Sequence, residues 1–255
     1  MKLEPLYNVK LIEANRAHYY QIGDDETWHP GATTVLKCLD KPALLPWGVK
    51  LCSENIKEAL EKWDFSKPLT KLDIARICEE GKNIYKKKAS DAADLGTRVH
   101  KAVDAIIHDQ EPVITDDIKA GVEGFLEWKA LNSITISLGD TKLGSKLFGY
   151  GGSLDFIGFD PSGAAVIFDV KTTKARKGMN HGVYPEFGLQ LASYAKAFTE
   201  TYGIPVKEVH ALWLNKEKPE FKSLKVTNIN VAFEAFLACL KIYQTQKFEM
   251  FDASI

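Results

Sequence analysis

The chain is poor in cysteine. Cys38, Cys52, Cys78 and Cys239 form no Cys-x-x-Cys pair and stand far apart in the sequence. That spacing argues against a zinc site, and without a secretory signal a disulfide framework is not expected. The opening residues, MKLEPLYNVKLIEANRAHYY, contain no apolar core of signal-peptide length, and no run approaches a transmembrane span. An intracellular, cytoplasmic protein without a membrane partner is expected. No excess of one charge sign exists either, since 33 Lys and Arg face 34 Asp and Glu for a net charge of −1. This balance is neutral on a nucleic-acid partner, because binding needs a local basic patch and not a basic protein. There is no Pro/Gly/Ser-rich linker, no repeat and no low-complexity tract, so a single domain over residues 1–255 is expected. Within it, residues 1–90 read as an N-terminal hairpin and helical elaboration, and 91–255 as the core.

The apolar and charged fractions, 45% and 26%, are those of an ordinary globular protein. The informative stretch runs from Gly149 to Tyr194. At its centre Phe159-Asp160-Pro161-Ser162-Gly163-Ala164 joins two apolar runs, and Asp, Pro, Ser, Gly are the preferences of successive type I turn positions. A hairpin follows. If the loop has three residues closed by a left-handed glycine, Asp160 and Ala164 are the closing pair and Asp155 falls opposite Asp169. Ser153, Asp155, Asp169 and Lys171 then share one face as a site, with Leu154, Phe156, Val166, Phe168 and Val170 on the other as core. A two-residue loop would put the two aspartates on opposite faces.

Carboxylates directly across a strand pair have Cβ atoms about 4.5–5.5 Å apart and repel unless something neutralises them. A hard divalent cation would, and carboxylate oxygens suit Mg²⁺ or Mn²⁺. Lys171, two residues beyond Asp169, would then orient or deprotonate a water or stabilise phosphate charge, which is phosphodiester hydrolysis in outline. The plain alternative is a surface hairpin with solvated charges. Against it stands Phe168-Asp169-Val170, a charge set into a run that otherwise reads as a buried strand. Among basic runs, Lys86-Lys87-Lys88 reads as a solvated helix face, whereas Lys174-Ala175-Arg176-Lys177 follows Lys171 directly and is assigned phosphate contact.

Elsewhere, residues 1–30 read as a hairpin with His18 to Ile22 as one arm and Gly23-Asp24-Asp25 as turn. A short helix is expected from Thr33 to Leu39, and a longer one opens at Pro46-Trp47 and runs to Trp63. Trp47 and Trp63 read as core, with base stacking as the functional alternative. The chain is helical from Thr70 to His108, with candidate breaks at Gly81 and Ser90-Asp91, and again from Asp116 to Leu131. Strands are expected at Ile134 to Leu138 and Lys146 to Tyr150. Between them Gly139 to Lys146 has P-loop glycine spacing, but Ser and Lys are in the wrong order and no helix follows, which excludes ATP binding by that motif. A polar loop, Gly178 to Tyr184, leads into a helix from Glu186 on which Gln190 and Tyr194 face the same way. Strands at Val209 to Leu214 and Phe221 to Val226, then a helix from Asn230 to Phe248, complete an α/β fold with a mixed central sheet flanked by helices.

The order Gly-Gly-x-x-Asp, turn, Asp-x-Lys-Thr and Gln-x-x-x-Tyr, preceded by Gly96-Thr97-Arg98-Val99-His100 on a helix, resembles the PD-(D/E)XK nucleases. The likeness is to the RecB-type exonuclease branch, which includes CRISPR adaptation nucleases and the mitochondrial genome maintenance exonuclease. It spans about His100 to Tyr194; Leu154 stands where the family has a proline before its first aspartate. The resemblance implies a restriction-endonuclease-like core, with Asp155, Asp169 and Lys171 as catalytic residues. It implies His100, Asp155, Asp169 and the Val170 backbone carbonyl as ligands of Mg²⁺ or Mn²⁺, the imidazole tilting preference to Mn²⁺. Gln190 and Tyr194, with Thr172, Lys174 and Arg176, would position substrate; for the first two, satisfying buried polar groups is the structural alternative. Gly96 would let the histidine helix pack closely on the sheet. Some relatives hold an iron–sulfur cluster through three closely spaced cysteines after the tyrosine; with Cys239 alone there, no cluster is expected.

The expected function is a metal-dependent exonuclease acting on DNA ends or single strands in recombination, repair or processing, with a recombination or helicase partner. The size, motif set and N-terminal TTVLKCLDKPALLPWG segment resemble phage-encoded or mobile-element nucleases, which would place it in a host cytoplasm. Two alternatives stand beside it: a catalytically idle relative that only holds DNA or a partner, and a site-specific endonuclease.

Overall fold

The computed structural model describes residues 3–14, 17–132, 134–218 and 220–246. The chain divides into two compact units, Asp40–Thr97 and the remainder, 1–39 with 98–255. In the larger unit β1 (Val9–Ala14), β2 (Ala17–Ile22) and β3 (His29–Pro30) form one sheet, followed by the single turn α1 (Ala32–Val35). The smaller unit carries α2 (Leu44–Glu61) and most of α3 (Lys71–Ile107). Then come α4 (Asp116–Leu131), β4 (Thr135–Ser145), β5 (Tyr150–Phe159), β6 (Ala165–Thr173), α5 (Pro185–Tyr202), β7 (Val206–Asn215), β8 (Phe221–Lys225) and α6 (Ile229–Thr245). No helix among the described residues is long and apolar enough to cross a membrane.

The main sheet is mixed and five-stranded in the order β4-β5-β6-β7-β8. β4, β5 and β6 form an antiparallel meander, β6 and β7 are parallel through the α5 crossover, and β8 returns antiparallel. α5 has Pro185 in its first turn and ends on Gly203 at φ 71°, the left-handed stop that a Cβ disfavours. Its buried stripe, including Leu191, Tyr194, Ala195 and Phe198, packs with α6 and with Leu143, Ile157, Ala165 and Ile167 of the sheet. The opposite face is closed by aromatics: Phe156 and Phe168 stack at 5.0 Å, and Phe168 meets Trp128 of α4 edge-on at 5.1 Å. Both faces of β6 are therefore buried, which corrects the expectation of one site face and one core face. Ala165 and Ile167, of the same parity as Asp169, are core, so the site occupies only the end of that face.

The hairpin register is the expected one. Asp160 N–H bonds Ala164 O (3.0 Å), Gly163 N–H bonds Asp160 O (2.8 Å) and Gly163 sits at φ 80°. Pairing then runs from Phe159↔Ala165 to Phe156↔Phe168. Other expectations are corrected. β4 continues from the expected strand at Ile134 to Leu138 through the P-loop-like segment to Ser145, because its glycines make room for packing, and the expected strand at Lys146 to Tyr150 is instead the turn into β5. A Cβ at Gly144 would lie 2.9 Å from Ile22, and one at Gly139 would lie 2.7 Å from the His108 ring. Gly23 to Asp25 lies in the turn after β2, as expected, and leads to β3, which pairs antiparallel with β2; β1 pairs with the other edge of β2. α3 is unbroken at Gly81, Ser90 and Asp91. Gly81 is a contact point: a Cβ there would lie 2.8 Å from Ile56 of α2, and close helix approach outweighs the propensity cost of about 1 kcal/mol. Trp47 is 40% exposed and not core, and the expected helix end at Phe248 lies outside the described residues.

Candidate active site

The C-terminal end of β6 places Asp169 and Lys171 two residues apart on one side of the strand. Asp169 is 3% exposed and ion-paired with the Lys171 ammonium, and its Oδ2 accepts no hydrogen bond of good geometry. Lys171 Nζ also donates to Gln190 Oε1 (3.1 Å) and lies 4.8 Å from the Phe187 ring centroid. Gln190 Nε2 in turn donates to the Tyr194 hydroxyl (2.6 Å). One carboxylate, one amide and one ring thus fix the ammonium from three sides, and the amide is held by a tyrosine one helical turn away.

Asp155 stands at the step of the ladder that would face Asp169, beyond the last paired residues, and its carboxylate takes the place of a strand partner. Its Oδ2 accepts the Val170 N–H (2.6 Å) and its Oδ1 faces His100 Nδ1 at 3.0 Å. Burial pushes the Asp155 carboxyl up, but the His100 hydrogen bond and charge, Lys171 and the Val170 N–H outweigh it and hold it below the usual carboxylate range. Burial pushes Asp169 up and Asp155 adds to it, with the Lys171 charge opposing. His100 loses basicity through burial yet ends above its ordinary value because Asp155 and Asp169 lie close. The unit is a pair of ion pairs, His100 with Asp155 and Asp169 with Lys171, built from helix, strand and strand.

Beside it opens a cleft of about 280 Å³ whose walls include His100, Asp155, Val170, Asp104 and Asp140. The last two were not predicted. Asp104 follows His100 by one turn of α3, and Asp140 holds a strained φ of 35° on β4 and pairs with Lys142 at 2.5 Å. Two carboxylates suit a hard divalent cation, and an imidazole beside them tilts the preference from Mg²⁺ toward Mn²⁺. Among the described residues no group of three or more His, Cys, Asp or Glu is arranged to hold a metal ion.

The remaining predicted residues divide. Gln190 and Tyr194 join the Lys171 network. Thr172 Oγ1 is buried without a hydrogen-bond partner. Lys174 is ion-paired with Glu217 at the surface. Arg176 lies 5.0 Å from the Tyr184 ring centroid and donates to Val183 O (3.3 Å), away from the cleft walls.

Sequence reasoning missed Tyr20 of β2. Its hydroxyl bonds Ser153 Oγ (2.9 Å), and its ring packs where a Cβ on Gly151 would come within 2.3 Å. Tyr194 packs equally close to Gly152. The Gly151-Gly152 pair was the signal: two adjacent residues without side chains in a strand call for two large groups, one on each face.

No family model matches the chain, and no curated protein matches it. Among solved structures, the chain is similar to a "Putative exonuclease" from Eubacterium rectale, with 15% identity and a TM-score of 0.41. The match covers 61% of this chain and 65% of that one, less than two thirds of that structure's length. It is also similar to the protein SSO0001, with 15% identity, a TM-score of 0.33 and coverage of 77% of this chain and 84% of that one.

Proposed function

We propose that the protein is a metal-dependent nuclease that hydrolyses phosphodiester bonds of DNA from ends or single strands. What carries this reading is the convergence of His100, Asp155, Asp169 and Lys171, from one helix and two strands, with His100 and Asp155 on the wall of an open cleft and the Asp169–Lys171 pair buried behind Val170. Carboxylates and a lysine buried this far need a reason, since charged pairs in an interior rarely repay their desolvation as stability alone.

His100, Asp155, Asp169 and the Val170 carbonyl are the groups that would hold Mg²⁺ or Mn²⁺. Such an ion supplies charge for the phosphoryl oxygens and for the leaving oxygen. Lys171, kept in place by Gln190 and Phe187, presents its ammonium to the phosphate and orients the water that attacks phosphorus. The water gives up a proton to solvent as its oxygen bonds phosphorus, the P–O bond to the sugar oxygen breaks, and that oxygen leaves with a proton from solvent. Tyr194 keeps the Gln190 amide turned so that its oxygen, not its nitrogen, meets Lys171.

Purified protein should shorten end-labelled oligonucleotides with Mg²⁺ or Mn²⁺ and stop with chelator, while Asp169→Asn and Lys171→Ala should cleave on the order of 10²-fold more slowly or less. Cleavage at the wild-type rate in either variant removes the assignment.

A further inference from the structure

The loop between β6 and α5 carries an arrangement that the phosphodiester chemistry does not use. From Lys171 outward, the Phe187 ring centroid lies 4.8 Å from the ammonium, the Tyr184 ring meets Phe187 edge-on at 5.8 Å, and the Arg176 guanidinium lies 5.0 Å over the Tyr184 ring. A cation, two aromatic rings and a second cation thus form one continuous row from the buried lysine to the surface, where Tyr184 is 41% exposed. The loop beneath is tightly built. Arg176 N–H bonds His181 O (3.0 Å), Met179 N–H bonds Arg176 O (2.9 Å) and Thr173 Oγ1 bonds Gly182 O (2.7 Å). A Cβ at Gly182 would come within 2.1 Å of Lys174 O, so the loop is pressed against its own strand.

We propose that Tyr184, backed by Arg176 and Phe187, is a platform on which an unpaired nucleobase stacks beside Lys171, so that the site takes single-stranded DNA or a frayed end in preference to the interior of a duplex. This rests on the phosphodiesterase reading of the same site. Every base has a π-face and a phosphate, and the row offers a partner for each: an exposed aromatic ring for the first, Arg176 and Lys171 for the second. In an intact duplex the faces are already stacked on neighbours, and only an unpaired base can use the ring. Because the loop is held by its own hydrogen bonds, little ordering is needed on binding, which favours affinity.

The test is binding of a fluorescein-labelled oligothymidylate and of a blunt hairpin duplex in the presence of chelator, by fluorescence anisotropy. Tyr184→Ala should weaken oligothymidylate binding about tenfold, within the range usual for loss of one stacked base, and leave the duplex within about twofold. Tyr184→Phe should restore it. Tyr184→Leu, which keeps the bulk and loses the aromatic face, should lose as much as the alanine variant. Equal affinities across all four proteins, or a loss on duplex as large as on single strand, overturns the proposal; the former would fit a platform that docks a protein instead. If only the platform reading is wrong, wild type still cleaves DNA with metal, and if only the nuclease reading is wrong, no metal supports cleavage while binding still depends on Tyr184.

Discussion

At the scale of single residues, Lys171 carries the most weight. Removing it should lower cleavage by on the order of 10²-fold or more, as loss of one preorganised charge-stabilising donor does elsewhere. It also leaves Asp169 buried without its cation, which costs about 3–5 kcal/mol when the remaining charge cannot escape. Here burial already pushes the Asp169 carboxyl upward, so the variant can relieve part of that cost by taking a proton. Lys171→Ala should therefore melt lower than wild type, with a gap that narrows as pH falls, read by circular dichroism. A different carboxylate gives a different sign. Asp160 is held well below the usual range, first by Lys207, then by Ser162 and the Ala164 N–H. A depressed folded value means stabilisation that is present above the unfolded value, about 3.9, and is lost as pH falls through the folded one. Wild type should melt above Asp160→Asn at pH 7, and the difference should shrink below about pH 4. A difference that stays constant down to pH 3 would show that the turn does not depend on the charge.

The elements decide whether those residues meet. The turn at Asp160 to Gly163 sets the register that carries Asp155 to the step facing Asp169, and this much was legible because turn residues are chosen for local backbone reasons. Inserting one residue into the loop should shift every β5 side chain to the other face and abolish cleavage, and a slipped hairpin with full activity would contradict the account. The pair of rings flanking β5 was less legible. Gly152→Ala would drive a methyl into the Tyr194 ring, within 2.3 Å, and should destabilise by about 1–3 kcal/mol as overpacking does. It should also loosen Gln190 and with it Lys171, so cleavage should fall further than the melting temperature alone explains. Glycines misled the sequence reading wherever their use was packing and not turning. Gly139 and Gly144 in β4 and Gly81 in α3 each admit a neighbour's side chain, and a neighbour from a distant part of the chain leaves no local trace.

At the scale of the whole molecule, the α/β class, the sheet of mixed direction and the order of its last four elements follow from alternation, helical periodicity and turn chemistry. What periodicity could not supply was which side chains face each other across elements. It paired Asp155 with Asp169 through the ladder, but not Asp155 with His100 and the Val170 N–H, nor Tyr20 with Ser153, because those depend on how helix and hairpin lie on the sheet. Nor could periodicity supply the neighbours of the basic run: Lys174 pairs with Glu217, and Arg176 bonds Val183 O and lies over the Tyr184 ring. The molecule-wide claim is that one cleft, closed by a helix on one side and a strand pair on the other, hydrolyses DNA with a divalent ion. The measurement that reaches it most directly is gel analysis of end-labelled single-stranded and duplex oligonucleotides incubated with wild type, Asp155→Asn and Lys171→Ala, each with Mn²⁺, Mg²⁺ or chelator. The account predicts shortening by wild type with metal alone and, in either variant, shortening slower by on the order of 10²-fold or more; shortening in chelator, or by either variant as fast as by wild type, would contradict it.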